Sequence, residues 1–208
     1  GDLDQDGILD LVVGNEDGHL FFFKGRAKLV YAPFVMICTA DGVPFTFQSA
    51  YGLQGPVEAR WGYLNPVLVD FDGDGVLDIL LGNIEEYLLC LLMDLDADKT
   101  PYIRDQVVVR DPVEEIRVPW RTRPAVGDFT GDGVEDLVIL NVQGRLELYE
   151  GRRDETGQLR FMYGQQALQT PLGGRGRASG RMKMSTIDWD QDGLMDLVLD
   201  IVGSLRVF

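Results

Sequence analysis

Polar and apolar residues alternate in a pattern that recurs four times along the chain. Each copy has carboxylates at positions 1, 5 and 9 and glycine at position 6, three of the four copies have a further carboxylate at position 3, and an apolar run follows. The copies are DLDQDGILD, DFDGDGVLD, DFTGDGVED and DWDQDGLMD, which start at residues 2, 70, 128 and 188. A period of about 60 residues is typical of repeat architectures.

The apolar runs on either side of these segments predict buried strands, and no stretch has a helical period. Strands at 65–69 and 123–126 precede the second and third segments, so each segment is expected to connect two antiparallel strands. Turns with glycine or asparagine then predict third strands at 20–23, 87–92, 146–149 and 205–208. Fourth strands are predicted at 34–39, 106–110 and 159–163.

Alternating carboxylates are unfavourable on one face of a strand, where like charges repel. Glycine at position 6 permits a sharp turn with positive φ, which would let the three carboxylates converge on one point. Convergent hard oxygens suit Ca²⁺, with the backbone carbonyl of position 7 as a further ligand. A solvated acidic turn is the alternative for a single copy, but four regular copies favour about four calcium sites.

The predicted ligands occupy positions 1, 3, 5, 7 and 9 of each loop. In the first two loops they are Asp2, Asp4, Asp6, Ile8, Asp10, Asp70, Asp72, Asp74, Val76 and Asp78. In the last two loops they are Asp128, Thr130, Asp132, Val134, Asp136, Asp188, Asp190, Asp192, Leu194 and Asp196. Aliphatic residues at position 12 exclude an EF-hand, which has a bidentate glutamate there.

Two segments depart from the common pattern. Thr130 replaces a carboxylate in the third loop, so calcium is expected to bind more weakly there. A fifth acidic run, Asp94 to Lys99, lacks the glycine at position 6 and is interpreted as a polar turn.

Trp189 lies where Leu3, Phe71 and Phe129 lie in the other loops, and it is expected to pack like them.

Composition limits the class of protein. The 208 residues carry a net charge of −15, but 45% are hydrophobic, a globular rather than a disordered proportion. Fifteen of the 34 acidic residues occupy the patterned loop positions, and the other 19 match the 19 lysines and arginines. Nucleic acid is not expected as a partner, and no apolar run reaches the roughly 20 residues of a transmembrane span. Cys38 and Cys90 lie in apolar strands and are interpreted as buried thiols.

The four loops, the apolar strands after them and the Gly-Asn turns resemble the FG-GAP/VCBS family of repeats, which is also found in integrin α-subunit heads. The literal FG and GAP signatures are absent. The resemblance implies an all-β fold, a β-propeller of four-stranded antiparallel blades with calcium hairpins, in rings commonly of seven blades. The chain would then hold a partial blade at 1–48, blades at 62–111 and 121–170, and a partial blade at 182–208.

Such a set of blades has three interpretations. The first is a portion of a larger ring that includes further blades of the same protein. A closed four-bladed ring is the second, and self-association of half-rings is the third.

The blade order would place the calcium hairpins at one face and the connectors between blades at the other, which propellers commonly use to bind ligands. Tryptophan and arginine are frequent in binding hot spots, and the connectors are rich in both. The candidate ligand-binding residues are Arg60, Trp61, Trp120, Arg121, Arg123 and Arg181. Alternatively, the tryptophans pack between blades and the arginines are solvated.

The function expected from these features is non-catalytic binding or adhesion to a glycan or protein ligand. An extracellular, cell-surface or periplasmic location is expected, since millimolar calcium fills even weak sites. The alternative is the propeller portion of a secreted enzyme that acts on polysaccharide, such as a lyase. Fold alone does not decide between them, and no catalytic residue is assigned.

Overall fold

The computed structural model describes residues 1–47, 63–83, 85–119, 122–166, 183–201 and 204–207. Within these ranges the regular secondary structure consists of β-strands and includes no helix, as the sequence predicts. No helix there is long and apolar enough to cross a membrane.

Small sheets follow one another along the chain. The first sheet has the order β1-β2-β5, with β1 at Leu11–Gly14, β2 at Leu20–Phe23 and β5 at Val35–Met36. A two-stranded hairpin branches from it, formed by β3 (Gly25–Ala27) and β4 (Val30–Tyr31). The second sheet has the order β6-β10-β9-β8-β7, with β6 at Cys38–Thr39, β7 at Asn65–Val69, β8 at Asp78–Gly82, β9 at Leu88–Leu95 and β10 at Pro101–Val108.

The last two sheets repeat the same antiparallel order. The third comprises β11 (Ala125–Gly127), β12 (Asp136–Leu140), β13 (Leu146–Arg153) and β14 (Leu159–Gln166). The fourth comprises β15 (Met184–Ile187), β16 (Asp196–Ile201) and β17 (Ser204–Val207). The second and third sheets therefore contain the predicted succession of four antiparallel strands. The assignment of whole blades to residue ranges, and the ring that they would form, remain predictions.

The predicted strand at 34–39 is wrong as a single element. It divides into β5, which pairs with β2, and β6, which adds in parallel to β10 of the second sheet. Ile37 lies at the division, is buried, and donates its backbone N–H to the Leu20 carbonyl at 2.9 Å. The residues from Phe34 to Cys38 are all apolar, so the sequence pattern does not reveal this change of partner.

Three hydrophobic cores lie between successive sheets, and the alternation of side chains along each strand fills them. On β8, Leu80 faces the core shared with the third sheet, whereas Ile79 and Leu81 face the core shared with the first. All three are fully buried. Burial of such a side chain contributes about 1.5–3 kcal/mol to the free energy of folding. A strand such as β8, with buried side chains on both faces, therefore holds its sheet against both neighbouring sheets.

The outer face of the first sheet has no such covering among the described residues. Leu11 stands at the loop position that Leu137 occupies in the third repeat, but 42% of Leu11 is exposed and Leu137 is fully buried. Phe34 on the same face is also exposed and packs edge-on against Phe21, with ring centroids 5.0 Å apart.

Candidate metal centre

Each acidic segment forms the loop between the first and second strands of its repeat. Glycine at position 6 has positive φ in every copy, as the sequence predicts: Gly7 86°, Gly75 88°, Gly133 86° and Gly193 94°. Position 4 is also left-handed, with glycine in two loops but with Gln5 (φ 59°) and Gln191 (φ 62°) in the others. This second turn was missed, although Gly73 and Gly131 signalled it.

Carboxylates at positions 1 and 5 shape the turn through backbone hydrogen bonds. Asp2 accepts the N–H of Asp6 at 3.0 Å and that of Gly7 at 2.9 Å. The carboxylate at position 5 accepts the N–H of position 7 in all four loops, at 2.9 Å between Asp6 and Ile8. The loop is therefore curled around its own carboxylates, as the sequence implies.

The carboxylate at position 9 links the loop to the sheet. Asp78 Oδ2 accepts the N–H groups of Phe71 and Asp72 at 2.9 and 3.3 Å, and its Oδ1 accepts that of Met93 at 2.7 Å. Asp10 and Asp136 accept three backbone N–H groups in the same register. All three aspartates are buried. This structural role was not foreseen; carboxylates of this kind keep lone pairs that a cation can use.

Three of the loops bring carboxylates together closely enough to hold a cation. In each group, one oxygen from every member lies within 4.8 Å of the others. The groups are Asp2, Asp4 and Asp6; Asp70, Asp72 and Asp78; and Asp188, Asp190 and Asp196. Among the described residues the third loop forms no such group, in keeping with Thr130 at its position 3. The remaining predicted ligands, including the four backbone carbonyls of position 7, stay predictions.

Buried oxygens without a partner test whether these groups fit a metal ion. Asp4 is only 1% exposed, and its Oδ1 has no hydrogen-bond partner; Asp188 Oδ1 is likewise buried and unbonded. Leaving a carboxylate oxygen buried and unpaired costs free energy, which a bound cation would offset. The donor set is entirely oxygen, which suits Ca²⁺ rather than a transition metal.

Basic side chains reach into two of the loops, which the sequence did not predict. Lys24 follows β2 and forms ion pairs with Asp4 and, at 2.7 Å, with Asp6. Arg104 pairs with Asp72, and its guanidinium lies 3.8 Å from Asp74. The ladder between β9 and β10 shifts register at Arg104, and such bulges redirect a side chain.

These surroundings alter the pKa of several groups. Hydrogen bonds to Asp4 and Asp6 raise the pKa of the Lys24 ammonium, and Lys24 in turn lowers the pKa of Asp6. Burial raises the pKa of the Asp78 carboxyl to about 6, although its N–H donors act in the opposite direction. A bound divalent cation would favour the charged form of Asp78 again.

The fifth acidic run forms the polar turn that the sequence predicts. Asp96 closes the turn between β9 and β10 by accepting the N–H groups of Asp98 and Thr100, both at 2.9 Å.

Trp189 contradicts the expectation that it packs like its counterparts. Leu3 and Phe71 are buried, whereas 65% of Trp189 is exposed. Phe71 is covered by the following sheet: its ring lies 6.3 Å from that of Phe161, and its carbonyl accepts the Leu159 N–H. The described part of the chain offers no comparable neighbour to Trp189.

Most of the candidate ligand-binding residues lie outside the described ranges: Arg60, Trp61, Trp120, Arg121 and Arg181. Arg123 is described and half-buried, and its Nε is buried without a hydrogen-bond partner. Whether these residues meet a ligand stays a prediction. Both cysteines are free thiols, but only Cys90 is buried, and Cys38 is partly exposed.

Comparison with known protein families supports the repeat that the four loops define. The profile of a family described as FG-GAP-like repeat matches residues 2–81 and 128–199, which include all four loops and well over half of the chain. No curated protein matches the sequence.

Proposed function

The chain belongs to the FG-GAP-like repeat family, and on this premise we propose that it is a calcium-stabilised, propeller-like module that binds a glycan or protein ligand outside the cell without catalysing a reaction. The observation that supports calcium most directly is the buried, unbonded Oδ1 of Asp4 beside Asp2 and Asp6. Calcium would offset the repulsion between these carboxylates and so stabilise the fold.

The location follows from the expected affinity. The acidic groups lie at loops that are largely open to solvent, and calcium sites of extracellular modules bind in the range of about 10⁻⁴–10⁻³ M. Extracellular calcium would keep such sites filled, whereas cytosolic calcium would leave them empty. We therefore propose an extracellular or cell-surface location.

A thermal melt tests the calcium proposal. The full chain is stripped with a chelator and melted with and without millimolar CaCl₂, and MgCl₂ serves as the control for ionic strength. We expect calcium to raise the melting temperature by several degrees and magnesium to have a much smaller effect. An unchanged melting temperature with calcium would refute the proposal.

Matched variants locate the effect within the chain. Asp190→Asn removes one charge from the group in the fourth loop, and Asp98→Asn removes one charge from the polar turn at 96–99. We expect calorimetric titration to lose one calcium ion with Asp190→Asn and none with Asp98→Asn. Equal effects would mean that calcium responds only to the overall charge.

The ligand is proposed to bind at the ends of the sheets opposite the calcium loops. Arg123, just before β11, lies near that end and is half-buried, and the terminal N–H groups of its guanidinium could donate to a carboxylate, a sulfate or a sugar hydroxyl. A glycan array probed with calcium present tests this, using the natural chain and Arg123→Ala. Binding that is lost in the variant supports the site; product release instead of binding would indicate an enzyme.

A further inference from the structure

Lys24 occupies the first loop in a manner that the repeat pattern does not require. Its ammonium group contacts two of the three carboxylates in the group formed by Asp2, Asp4 and Asp6. The Gly25 N–H is bonded to Asp10 Oδ1 at 2.7 Å, so the backbone next to Lys24 is fixed against the loop. The backbone that carries Lys24 is therefore anchored beside the carboxylates that its ammonium group contacts.

The second and third repeats do not have a lysine at this position. Leu92 and Glu150 stand at the corresponding place, one residue before the N–H that bonds to the position-9 carboxylate. The second loop obtains its positive charge from a different strand, through Arg104. In the third repeat, Arg153 pairs with Glu135 at 3.0 Å. Among the described residues, no lysine or arginine is ion-paired to the fourth loop's Asp188, Asp190, Asp192 or Asp196.

We propose that Lys24 is a tethered counter-cation of the first loop, which neutralises Asp4 and Asp6 in the calcium-free protein and must be displaced when calcium binds. The inference rests on the proposed calcium binding and adds a competing cation to it. Asp4 Oδ1, which is buried and unbonded although Oδ2 pairs with Lys24, leaves the group with an unused ligand atom for the metal. Calcium therefore enters the first loop only in competition with Lys24.

The charge count gives the size of the effect. Ligand charge tunes the affinity of calcium sites. The four patterned carboxylates of the first loop carry a charge of −4, and Lys24 reduces the negative charge to −3. Displacing Lys24 breaks its ion pairs with Asp4 and Asp6, and two partly exposed pairs of this kind together weaken calcium binding by about tenfold, which corresponds to about 1.4 kcal/mol. We expect Lys24→Met to strengthen calcium binding in the first loop by about this factor.

The loops can be observed separately, because each contains one glycine at position 6. In ¹⁵N-labelled full-length chain, the amide signals of Gly7, Gly75, Gly133 and Gly193 report on the four loops during titration with CaCl₂. In Lys24→Met, the Gly7 midpoint should fall about tenfold while the Gly193 midpoint stays unchanged.

Lys28→Met is the matched control, since Lys28 is exposed and forms no ion pair with the loop. It removes the same charge four residues away and should leave both midpoints unchanged. Lys24→Gln provides a second variant if Lys24→Met does not fold. In the natural chain, the Lys24 Nζ–H groups should exchange slowly without calcium and rapidly with it.

The possible failures are distinguishable. If Gly193 responds to calcium but the Gly7 midpoint is the same in Lys24→Met, or falls equally in Lys28→Met, the counter-cation is refuted and the proposed function stands. If none of the four glycine signals responds to calcium, the calcium-dependent function fails, and the inference fails with it.

Discussion

The backbone N–H of Met93 donates a 2.7 Å hydrogen bond to Asp78 Oδ1, which ties the last carboxylate of the second loop to the third strand of its sheet. Asp78 has no exposed surface, and its other oxygen accepts two N–H groups from the start of the loop. One side chain thus connects both ends of the loop and the sheet.

Asp78→Asn should therefore destabilise the calcium-free protein. The amide has one acceptor oxygen and a donating NH₂ group, so at least one buried N–H loses its partner, at a cost of about 2–3 kcal/mol. Asp74→Asn in the same loop is the control, because Asp74 is exposed. This substitution should weaken calcium binding but change the free energy of unfolding of the calcium-free protein only slightly. Urea unfolding in a chelator measures both; equal losses would contradict the structural role of Asp78.

The stability of the calcium-free protein should rise as the pH falls from 7 to 4. The pKa of Asp78 is raised from 3.8 to about 6 by burial, so the folded chain binds a proton in this window that the unfolded chain does not bind. The contribution is about 2 kcal/mol. Urea unfolding of metal-stripped protein at several pH values measures it, and Asp78→Asn should flatten the dependence.

A second titrating group and the addition of calcium both bear on the sign of this pH dependence. The pKa of Asp154 is lowered from 3.8 to about 2 by Thr156 and Arg160, so its stabilising contribution is lost only below pH 3.8, outside the window. With saturating calcium the trend should reverse, because protons compete with the metal for Asp78. In the metal-free protein, a stability that decreases as the pH is lowered from 7 to 4 would contradict the prediction.

Leu137→Ala should cost far more stability than Leu11→Ala. Both leucines stand at the position directly after the loop, but Leu137 is fully buried between two sheets and Leu11 is 42% exposed. Truncating a buried leucine costs about 2–5 kcal/mol, whereas an exposed one costs less than about 1 kcal/mol. Urea unfolding in calcium compares them, and a similar cost would mean that Leu11 is covered in solution.

The two thiols should differ in reactivity. Burial places the pKa of Cys90 well above its ordinary value and keeps reagents away, whereas Cys38 is partly exposed. A thiol-specific chromogenic reagent should modify one cysteine in the folded chain and two after denaturation. Cys38→Ser should abolish the native reaction. Rapid modification of Cys90 in the folded chain would show that its sheet opens readily.

The sequence sufficed for the features that depend on local spacing. Carboxylates at alternating positions before a glycine define the loop, and Leu20–Phe23 and Asn65–Val69 are strands with the predicted bounds. The strand interrupted at Ile37 was not predictable in this way, because a change of partner leaves the apolar pattern unaltered.

Features that depend on distant partners were missed. Lys24 and Arg104 lie outside the loops that they neutralise, and no spacing rule connects them to Asp4 or Asp72. The loop position that Trp189 shares with Leu3, Phe71 and Phe129 predicts packing, but packing depends on what the next sheet provides.

The bond between the position-9 carboxylate and a strand N–H fifteen residues later has a consequence for protein engineering. Because this separation is the same in three repeats whose loop starts are unevenly spaced, differences in repeat length fall elsewhere. A peptide grafted at the turn of Asp96 to Lys99 would leave intact the segment of constant length between the loop and this strand N–H. The turn of Asp154 to Gly157 is a poor choice, since the Gly157 carbonyl packs directly against Gly73 of the neighbouring loop.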